Sequence, residues 1–441
     1  MKNNVYSHYK DSGVKWFGKI PIEWSSVKLK NYLDFTIGGT PPTSIDEYFE
    51  GNYVWITISD LSNNKNKFIT DSKTKISKDA VMNSNVQLVK KGSLLYSFKL
   101  TVGEVAFAGC DLYTNEAIAS FEYNNEIFLG YLKYLLKVGF ENNAFENIYG
   151  AKIFNSDLIK NAKILKPTFN EQIQIAKYLD KKIKNIEKII SKNKELISLL
   201  KEKRAVLINT IVTRGLNHNI KLKNSGVKFI DKIPEDWSII KIKFISSKIG
   251  SGVTPKGGSQ IYLEKGIPLI RSQNVHNFGL KLDDVVYISE DINNTMLNSL
   301  VKKEDVLLNI TGASIGRCFY VENLDIANVN QHVCIIRSNS KIFYKFLYYF
   351  LISAYGQEQI FSIQTGTSRE AITIEDIKNI QLVLPPLNCQ KQLVSYLDNK
   401  IFTINKAIQK IQIKLNLLEE YENSLIYHVV TGKINVQGVL L

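Results

Sequence analysis

The sequence predicts a mixed α/β (α+β) protein, in which two tandem globular domains are joined by two long antiparallel coiled-coil helices. Two observations predict this fold class. One apolar seam with a 3.5-residue repeat runs along each of two long stretches without Pro or Gly. Similar text also recurs: Lys19-Ile20-Pro21 returns as Lys232-Ile233-Pro234, and Tyr178-Leu179-Asp180 returns as Tyr396-Leu397-Asp398. Two copies of this size indicate a duplicated unit with a pseudo-two-fold internal repeat.

The first long helix is predicted from Gln172 to Val212, with Asn170 as the residue that caps its first turn. A seam with a 3.5-residue repeat keeps one stripe of a helix facing a partner helix along its length. The apolar seam positions are Leu179, Ile183, Ile186, Ile190, Ile197 and Leu200.

The second long helix repeats this seam, with Leu397 at the position equivalent to Leu179. Its seam positions are Leu397, Ile401, Ile404, Ile408, Ile411, Leu415 and Leu418. Because the link from Thr213 to Trp237 is short, we expect the two helices to be antiparallel, with the globular domains at opposite ends. The alternative is that each helix is an amphipathic core helix of its own domain.

A globular domain precedes each long helix. Short runs rich in β-branched and aromatic residues predict strands, and an apolar stretch in each copy predicts a compact helix. The strands are predicted at 53–58, 94–98, 117–121, 267–270, 306–310 and 333–336, and the helices at 128–138 and 343–354. The predicted domain boundaries are 1–167 and 214–385 for the globular domains, 168–213 for the first long helix, and 386–441 for the second long helix and tail.

Motifs for catalysis or cofactor binding are missing from the sequence. The Gly-rich segments that begin at Gly38 and Gly250 fit neither the dinucleotide-binding pattern nor the P-loop, and we interpret both as turns. The four cysteines are far apart and favour neither a disulfide framework nor a zinc site. We therefore predict a binding protein that has no catalytic residues, no metal site and no cofactor of its own.

The charge balance favours an anionic partner, because the formal net charge is +14. Polar residues at repeat-equivalent loop positions are candidates for contacts with DNA bases, since Arg pairs with guanine and Asn or Gln with adenine. These candidates are Thr57, Ser59, Asp60, Lys152, Arg271, Gln273, Asn274, Thr367, Ser368 and Arg369. The candidates for phosphate contacts, which position a protein on DNA, are Lys65, Lys67, Lys99, Lys256 and Arg317.

The start of the chain and its most apolar segment bear on location. The segment from Met1 to Lys10 is polar and lacks the apolar core of a signal peptide. The most apolar run, 342–355, is short and contains Lys345, which indicates a buried helix rather than a membrane span. We expect a cytoplasmic protein.

The chain resembles the specificity subunits of type I restriction–modification systems over essentially its whole length. Three segments and the duplicated layout carry the resemblance. The segments are Tyr9-Lys10-Asp11-Ser12-Gly13-Val14-Lys15-Trp16 with Ile20-Pro21 and Trp24, then Leu384-Pro385-Pro386-Leu387 with Gln390 and Tyr396-Leu397-Asp398, and finally Val430-Thr431-Gly432-Lys433. The first copy departs from the family at Lys166-Pro167-Thr168, where a double proline is usual.

The resemblance implies that each globular domain is a target recognition domain for one half of a bipartite, asymmetric DNA site. It implies that the helices set the spacing and dock two modification subunits, which use S-adenosylmethionine to methylate adenine. Restriction subunits would add translocation and cleavage with ATP and Mg. Two alternatives remain at this stage: a self-contained DNA methyltransferase, and a coiled-coil scaffold with no role on DNA.

Overall fold

The computed structural model describes residues 5–64, 66–99, 101–138, 140–143, 145–146, 152–217, 219–255, 257–324, 326–362 and 371–438. The chain forms two compact units. Unit 1 comprises residues 1–193 and 413–441, and unit 2 comprises residues 194–412. Unit 1 therefore contains the first globular domain, the start of the first long helix and the end of the second. Unit 2 contains the second globular domain, the end of the first long helix and the start of the second.

The elements of the first copy begin with short strands and end with a long helix. The strands are β1 (Tyr9–Asp11), β2 (Lys19–Pro21), β3 (Ser25–Lys28), β4 (Phe35–Ile37), β5 (Tyr53–Ile56), β6 (Phe68–Ile69), β7 (Lys75–Ile76), β8 (Leu88–Val89), β9 (Leu94–Ser97), β10 (Val105–Ala108), β11 (Leu112–Thr114), β12 (Ile118–Phe121), β13 (Phe145–Glu146), β14 (Lys152–Ile153) and β15 (Lys163–Lys166). The helices are α1 (Ile58–Asn63), α2 (Lys78–Asn83), α3 (Leu129–Lys137), α4 (Ser156–Asn161) and α5 (Phe169–Arg214).

The second copy repeats this order. Its strands are β16 (Leu222–Val227), β17 (Ile230–Pro234), β18 (Ser238–Lys241), β19 (Ser246–Ser251), β20 (Ile267–Ile270), β21 (Val275–His276), β22 (Gly279–Leu280), β23 (Val286–Ile288), β24 (Leu300–Val301), β25 (Val306–Asn309), β26 (Cys318–Tyr320), β27 (Ala327–Val329), β28 (Val333–Ser338) and β29 (Gln381–Leu384). Its helices are α6 (Glu290–Thr295), α7 (Tyr344–Ile352), α8 (Ala354–Ser362), α9 (Ile374–Asn379) and α10 (Leu387–Val430).

The sheets of the two globular domains have equivalent topologies. One sheet has the order β4-β12-β9-β10 in unit 1 and β19-β28-β25-β26 in unit 2, with β6 added at the edge in unit 1 only. The other has the order β7-β5-β11-β8 in unit 1 and β23-β20-β27-β24 in unit 2. In this second sheet β5 is parallel to β11, and β20 is parallel to β27. The internal repeat predicted from the sequence is therefore confirmed at the level of strand pairing.

Each long helix begins directly after a strand of its globular domain. Prolines at positions 167, 385 and 386 favour this boundary, because Pro cannot continue a preceding strand ladder and is tolerated at a helix start. The backbone N–H of Glu171 donates to the side-chain hydroxyl of Thr168 at 3.4 Å. Since α5 starts at Phe169, Thr168 caps the helix, and the cap predicted at Asn170 is wrong.

The predicted seam lies inward in both helices. Leu179, Leu397 and Leu415 are buried, and every other predicted seam residue is buried or half-buried. In unit 1, Ile183 and Ile186 of α5 share one core with Leu425 and Val429 of α10.

Unit 2 shows the reverse combination. There the last turns of α5, at Ile208 and Ile211, share a core with Leu397 and Ile401 near the start of α10. The start of each helix therefore packs with the end of the other, which is antiparallel pairing within each unit.

Candidate nucleic-acid interface

Four loops of unit 1 converge at one edge of its paired sheets. The parallel strands β5 and β11 end side by side, with Ile56 opposite Thr114, so the loops that follow them leave at the same edge. Strand β12 places Ile118 opposite Ser97 and Ala119 opposite Ile37, which brings in the loops after β9 and β4. We call residues 38–41, 57–60, 98–99 and 115–117 the first loop cluster.

Unit 2 builds the same arrangement from the equivalent strands. Ile270 at the end of β20 pairs with Val329 at the end of β27. The N–H of Asn330 donates to Ile270 O at 3.2 Å, and the N–H of Gly252 donates to Asn330 O at 3.2 Å. We call residues 252–255, 271–274, 310–317 and 330–332 the second loop cluster.

Glycine is required where the first loop of each cluster crosses the end of a neighbouring strand. A Cβ atom at Gly38 would lie 2.0 Å from Thr114 O, and a Cβ atom at Gly252 would lie 1.7 Å from Val329 O. Both distances are far below any real contact with a backbone atom. The Gly-rich segments therefore allow close backbone approach in the loop cluster, which explains glycine here without a phosphate-binding motif.

Two of the base-contact candidates in the first loop cluster are bonded to each other. The hydroxyl and N–H of Thr57 donate to Asp60 Oδ2 at 2.6 and 2.9 Å, and Asp60 N–H donates back to Thr57 Oγ1 at 3.4 Å. This capping box starts α1. Ser59 lies on the first turn of α1, is exposed, and accepts a hydrogen bond from Asn63 Nδ2 at 3.3 Å. The side chains of Thr57 and Asp60 therefore hold the loop, and Ser59 is the candidate of the three that the capping box leaves free.

In the second loop cluster, Arg271, Gln273 and Asn274 surround Asp284. Gln273 Nε2 donates to Asp284 Oδ2 at 2.9 Å, and Arg271 Nη2 donates to Asp284 O at 3.2 Å. Asn274 is fully buried, and its amide donates to Lys281 O at 2.9 Å and Asp284 Oδ1 at 3.1 Å. Burial of Asn274 corrects its predicted role, because a side chain with no exposed surface fixes the loop instead of contacting a base.

Three buried polar atoms at these loop clusters lack a hydrogen-bond partner among the described residues. They are Thr114 Oγ1 beside the first loop cluster, and Arg271 Nε and Asn309 Oδ1 in or beside the second. Buried polar atoms in folded proteins are nearly always paired with protein, water or ligand. Both clusters therefore contain hydrogen-bonding capacity that is not used within the described part of the chain.

Sequence reasoning missed two polar pairs in the loop clusters. Thr40 donates a hydrogen bond from its hydroxyl to Glu116, and this bond, with the charge of Lys99 nearby, holds the pKa of Glu116 below its usual range. In unit 2, Thr311 Oγ1 lies 2.6 Å from His332 Nδ1. The signal that could have found them is the repeat itself, since 115–117 and 330–332 follow equivalent strands.

The phosphate-contact candidates fall in different places. Lys99 is exposed in the first loop cluster, and Arg317 is half-exposed in the second. Lys67 lies elsewhere. It is bonded to Asp180 of α5 at 3.0 Å and, with Phe68, Phe107 and Phe128, is among the residues that line a cavity of about 520 Å³. The remaining candidates Lys65, Lys256, Thr367, Ser368 and Arg369 lie outside the described residues, and of Lys152 the structure describes only the backbone, in β14.

The structure also bears on two other kinds of site, those that bind a metal ion and those that cross a membrane. Within the described part of the chain, no group of three or more His, Cys, Asp or Glu residues could hold a metal ion. Among the same residues, no helix is long and apolar enough to cross a membrane.

Comparison with known proteins decides the family. The model of the type I restriction modification DNA specificity domain matches residues 21–198 and again residues 234–417. The chain belongs to this family. Both matches cover a globular domain and most of the long helix that follows it, so the duplicated layout is a property that the chain shares with the specificity family.

Two specificity subunits of Methanocaldococcus jannaschii are similar to this chain over nearly its full length, and one of Escherichia coli over less than half of it. The type I restriction enzyme MjaVIII specificity subunit of Methanocaldococcus jannaschii is 25% identical, covering 99% of both chains. The MjaIX specificity subunit of the same organism is 25% identical over 95% of both. The EcoKI specificity subunit of Escherichia coli K12 is 23% identical over 46% of this chain and 44% of its own.

Solved structures show the same fold. A chain from a study of complex assembly and conformational transition of the type I R-M system superposes with a TM-score of 0.72 at 16% identity, covering 93% of this chain and 98% of that one. The HsdS subunit from Thermoanaerobacter tengcongensis gives a TM-score of 0.54 at 15% identity, covering 96% and 100%. The resemblance and the fold class predicted from the sequence are confirmed.

Proposed function

We propose that this chain is the non-catalytic specificity subunit of a type I restriction–modification complex, and that it recognises a bipartite, asymmetric DNA site. The observation that carries the proposal is the pair of equivalent loop clusters. Their backbones follow equivalent strands, but their side chains differ: Thr57 and Ser59 stand in the first where Arg271 and Gln273 stand in the second. Two equivalent frames with different side chains fit two half-sites of different sequence.

The chemistry of the loop clusters suits DNA. Arg271 can donate to the acceptor atoms of guanine in the major groove, and the amide of Gln273 can pair with adenine. Lys99 and Arg317 supply positive charges for phosphates. The remaining base-contact candidates stay predictions of the same proposal.

Membership of the specificity family supports a proposal about the partners. We propose that two modification subunits dock on this chain and that restriction subunits complete the complex. S-adenosylmethionine, ATP and Mg would then belong to those partners, and this chain would hold no cofactor.

The decisive experiment is co-expression with the cognate modification subunit, followed by mapping of methylated adenines by sequencing. The expected motif consists of two different half-sites separated by an unspecified spacer of constant length. A palindromic motif would contradict the asymmetry, and methylation without any sequence motif would contradict the proposal.

Arg271 provides a sharper test. If its guanidinium pairs with a guanine, Arg271→Ala weakens binding to the cognate base by roughly 1–3 kcal/mol and relaxes the motif at one base pair. The half-site recognised by residues before Pro167 stays unchanged. The matched control is Arg317→Ala, which should weaken methylation at all motif variants equally. A uniform effect of Arg271→Ala would make Arg271 a phosphate contact as well.

Two alternatives have direct tests. A self-contained methyltransferase would bind S-adenosylmethionine as an isolated chain, which calorimetry can measure. A scaffold with no role on DNA would leave the assembled complex without salt-dependent duplex binding, whereas phosphate contacts make affinity fall steeply with salt.

A further inference from the structure

Arg204 joins three elements of unit 2. It follows Leu200 by four residues, at the next position of the α5 seam, and is half-buried. Its guanidinium carbon lies 3.5 Å from the ring centroid of Phe278, and its Nη1 donates a hydrogen bond to Asn405 of α10. This side chain of α5 therefore contacts both α10 and the loop that carries Phe278.

Phe278 belongs to the turn of the β21–β22 hairpin. The residue before it, Asn277, accepts a hydrogen bond from Cys318 N–H at 3.0 Å through Oδ1 and another from the Tyr348 hydroxyl through its carbonyl. These bonds hold one side of the turn. Phe278 is 40% exposed, so the Arg204 guanidinium stacks on a ring that still meets solvent. A cation over an aromatic ring is attracted by the negative face of the ring, and the attraction is stronger where the cation is partly withdrawn from water.

The hairpin is bonded directly to the proposed base-contacting loop. Its first strand follows Asn274 without an intervening residue. Asn274 makes two hydrogen bonds with Lys281, just past β22: its side-chain amide donates to Lys281 O, and its backbone O accepts from Lys281 N at 2.8 Å. The ring Nε2 of His276 lies 3.0 Å from Gln273 O. A displacement of the hairpin would therefore move Arg271 and Gln273.

The first copy lacks this connection among its described residues. With Leu179 aligned to Leu397, the residue of α10 that matches Arg204 is Glu422, which pairs with Lys137 at 3.4 Å. With Thr57 aligned to Arg271, the position that matches Phe278 is Asn64, whose side chain donates to Asn66 O at 2.9 Å. The contact between a seam residue and the hairpin thus distinguishes the second copy from the first.

We infer that Arg204 is a positioning residue for DNA recognition by the second domain: its stacking on Phe278 fixes the β21–β22 hairpin against the helix pair and so orients the loop 271–274. The inference rests on the proposed function. It assigns to a residue inside the helix seam an effect on one half-site only.

The test uses the complete complex and methylome sequencing. Arg204→Gln keeps a donor for Asn405 but removes the cation over the ring, and Phe278→Ala removes the ring from an exposed turn without touching the helices. Each should reduce discrimination at the half-site of the second domain by about two- to tenfold, consistent with loss of one cation–π contact. The half-site of the first domain should be unchanged, and Phe278→Trp should retain wild-type discrimination.

The double variant separates positioning from general destabilisation. If the contact acts as inferred, Arg204→Gln combined with Phe278→Ala discriminates no worse than Phe278→Ala alone. Additive losses, equal losses at both half-sites, or an effect of Arg204→Gln that Glu422→Gln reproduces would overturn the inference. Failure of the proposed function is distinguishable, because the wild-type complex would then yield no bipartite motif.

Discussion

At the residue scale, the second domain contains an ion pair whose carboxylate is fully buried. Asp305 is fully buried and accepts two hydrogen bonds from Arg337, at 2.7 Å from Nε and 2.8 Å from Nη2. The N–H of Lys302 adds a third at 2.7 Å. Asp305 also raises the pKa of Arg337 above its usual value through these bonds. With Lys90 aligned to Lys302, the position that matches Asp305 in the first copy is Ser93.

Asp305→Ala should lower the free energy of unfolding of the second domain by about 1.5–3 kcal/mol, because the change removes charge-assisted hydrogen bonds and leaves the partly buried guanidinium of Arg337 without its carboxylate partner. Urea unfolding followed by circular dichroism measures the loss. Glu375→Ala is the control, since its pair with Lys378 lies at the surface and should contribute little. An equal, small effect of both variants would contradict the structural role of Asp305.

Asp180 gives unit 1 a pH dependence. Burial raises the pKa of this carboxyl, but hydrogen bonds from Tyr134 and Lys133 outweigh burial and leave the pKa lowered. A carboxyl with a lowered pKa in the folded state stabilises the fold above its unfolded pKa of about 3.9, and the stabilisation is lost as pH falls through the folded value.

The difference in stability between the wild type and Asp180→Asn should therefore be present at pH 7 and shrink below about pH 4. We expect it to remain below about 1 kcal/mol, because Asp180 is partly exposed and solvent screens its charge. Urea midpoints measured from neutral to acidic pH provide the test. A difference that is constant across this range would show that Asp180 acts by packing alone.

At the scale of elements, the long helices are stabilised by one apolar stripe of seam side chains, and most of the remaining surface in the middle of each helix is exposed to solvent. Seam residues near the helix ends, such as Leu179 and Leu397, are buried, while Ile190 and Ile197 in the middle are half-buried. Ile189, beside the seam, is 41% exposed. Two helices that pack only on each other cover one stripe, whereas the ends gain cover from the globular domains.

Ile190→Asp should destabilise unit 1 by roughly 1–3 kcal/mol, because it places a charge without a partner in the seam. Methylation of the composite site should fall with it. The matched control is Ile189→Asp on the exposed face of the same turn, which should leave the melting temperature nearly unchanged. Identical melting of both variants would show that Ile190 contributes nothing to the pairing.

At the scale of the whole molecule, the helix pair is expected to set the spacer between the half-sites. One heptad preserves the seam, but it must be inserted at matching points of both helices. The contact between Arg204 and Asn405 places the residue after Leu199 opposite Gln409, so the insertions belong after Leu199 and after Gln409. One heptad adds about 10 Å at ~1.5 Å per residue.

The spacer should then grow by about three base pairs at ~3.4 Å per pair, with both half-site sequences unchanged. Because the added pairs also rotate one half-site around the duplex, methylation should weaken as the DNA twists or bends. Methylome sequencing reads both quantities. An active variant with the original spacer would show that the helices dock partners without setting the distance.

Local patterns predicted the elements well, because each depends on neighbouring residues. Strands β9 and β25 begin at their predicted residues and end one position early, and the seams of α5 and α10 are as expected. The helix predicted at 343–354 instead stops at Ile352, where the buried Ser353 hydroxyl bonds to Phe350 O and a new helix begins.

The candidate site was less accessible to sequence reasoning, because it is assembled from distant loops. Asn274 is held in its buried position by hydrogen bonds to Lys281 and Asp284 across a hairpin. The Thr311–His332 pair forms because these residues flank the ends of two adjacent strands, β25 and β28. No periodicity encodes such contacts. The repeat alone could have aligned the loops, and it carries no information on which side chains turn inward.

The crossed composition of the units has a consequence for synthesis on the ribosome. Unit 1 includes residues 413–441: Leu425 and Val429 close its core, and Lys433 donates to Phe17 O at 3.0 Å. Unit 2 draws on no residue beyond 412. The core of the domain that is translated first therefore stays incomplete until residues 413–441 have been synthesised. A nonsense mutation shortly after residue 412 would damage that first domain and leave the residues of unit 2 complete.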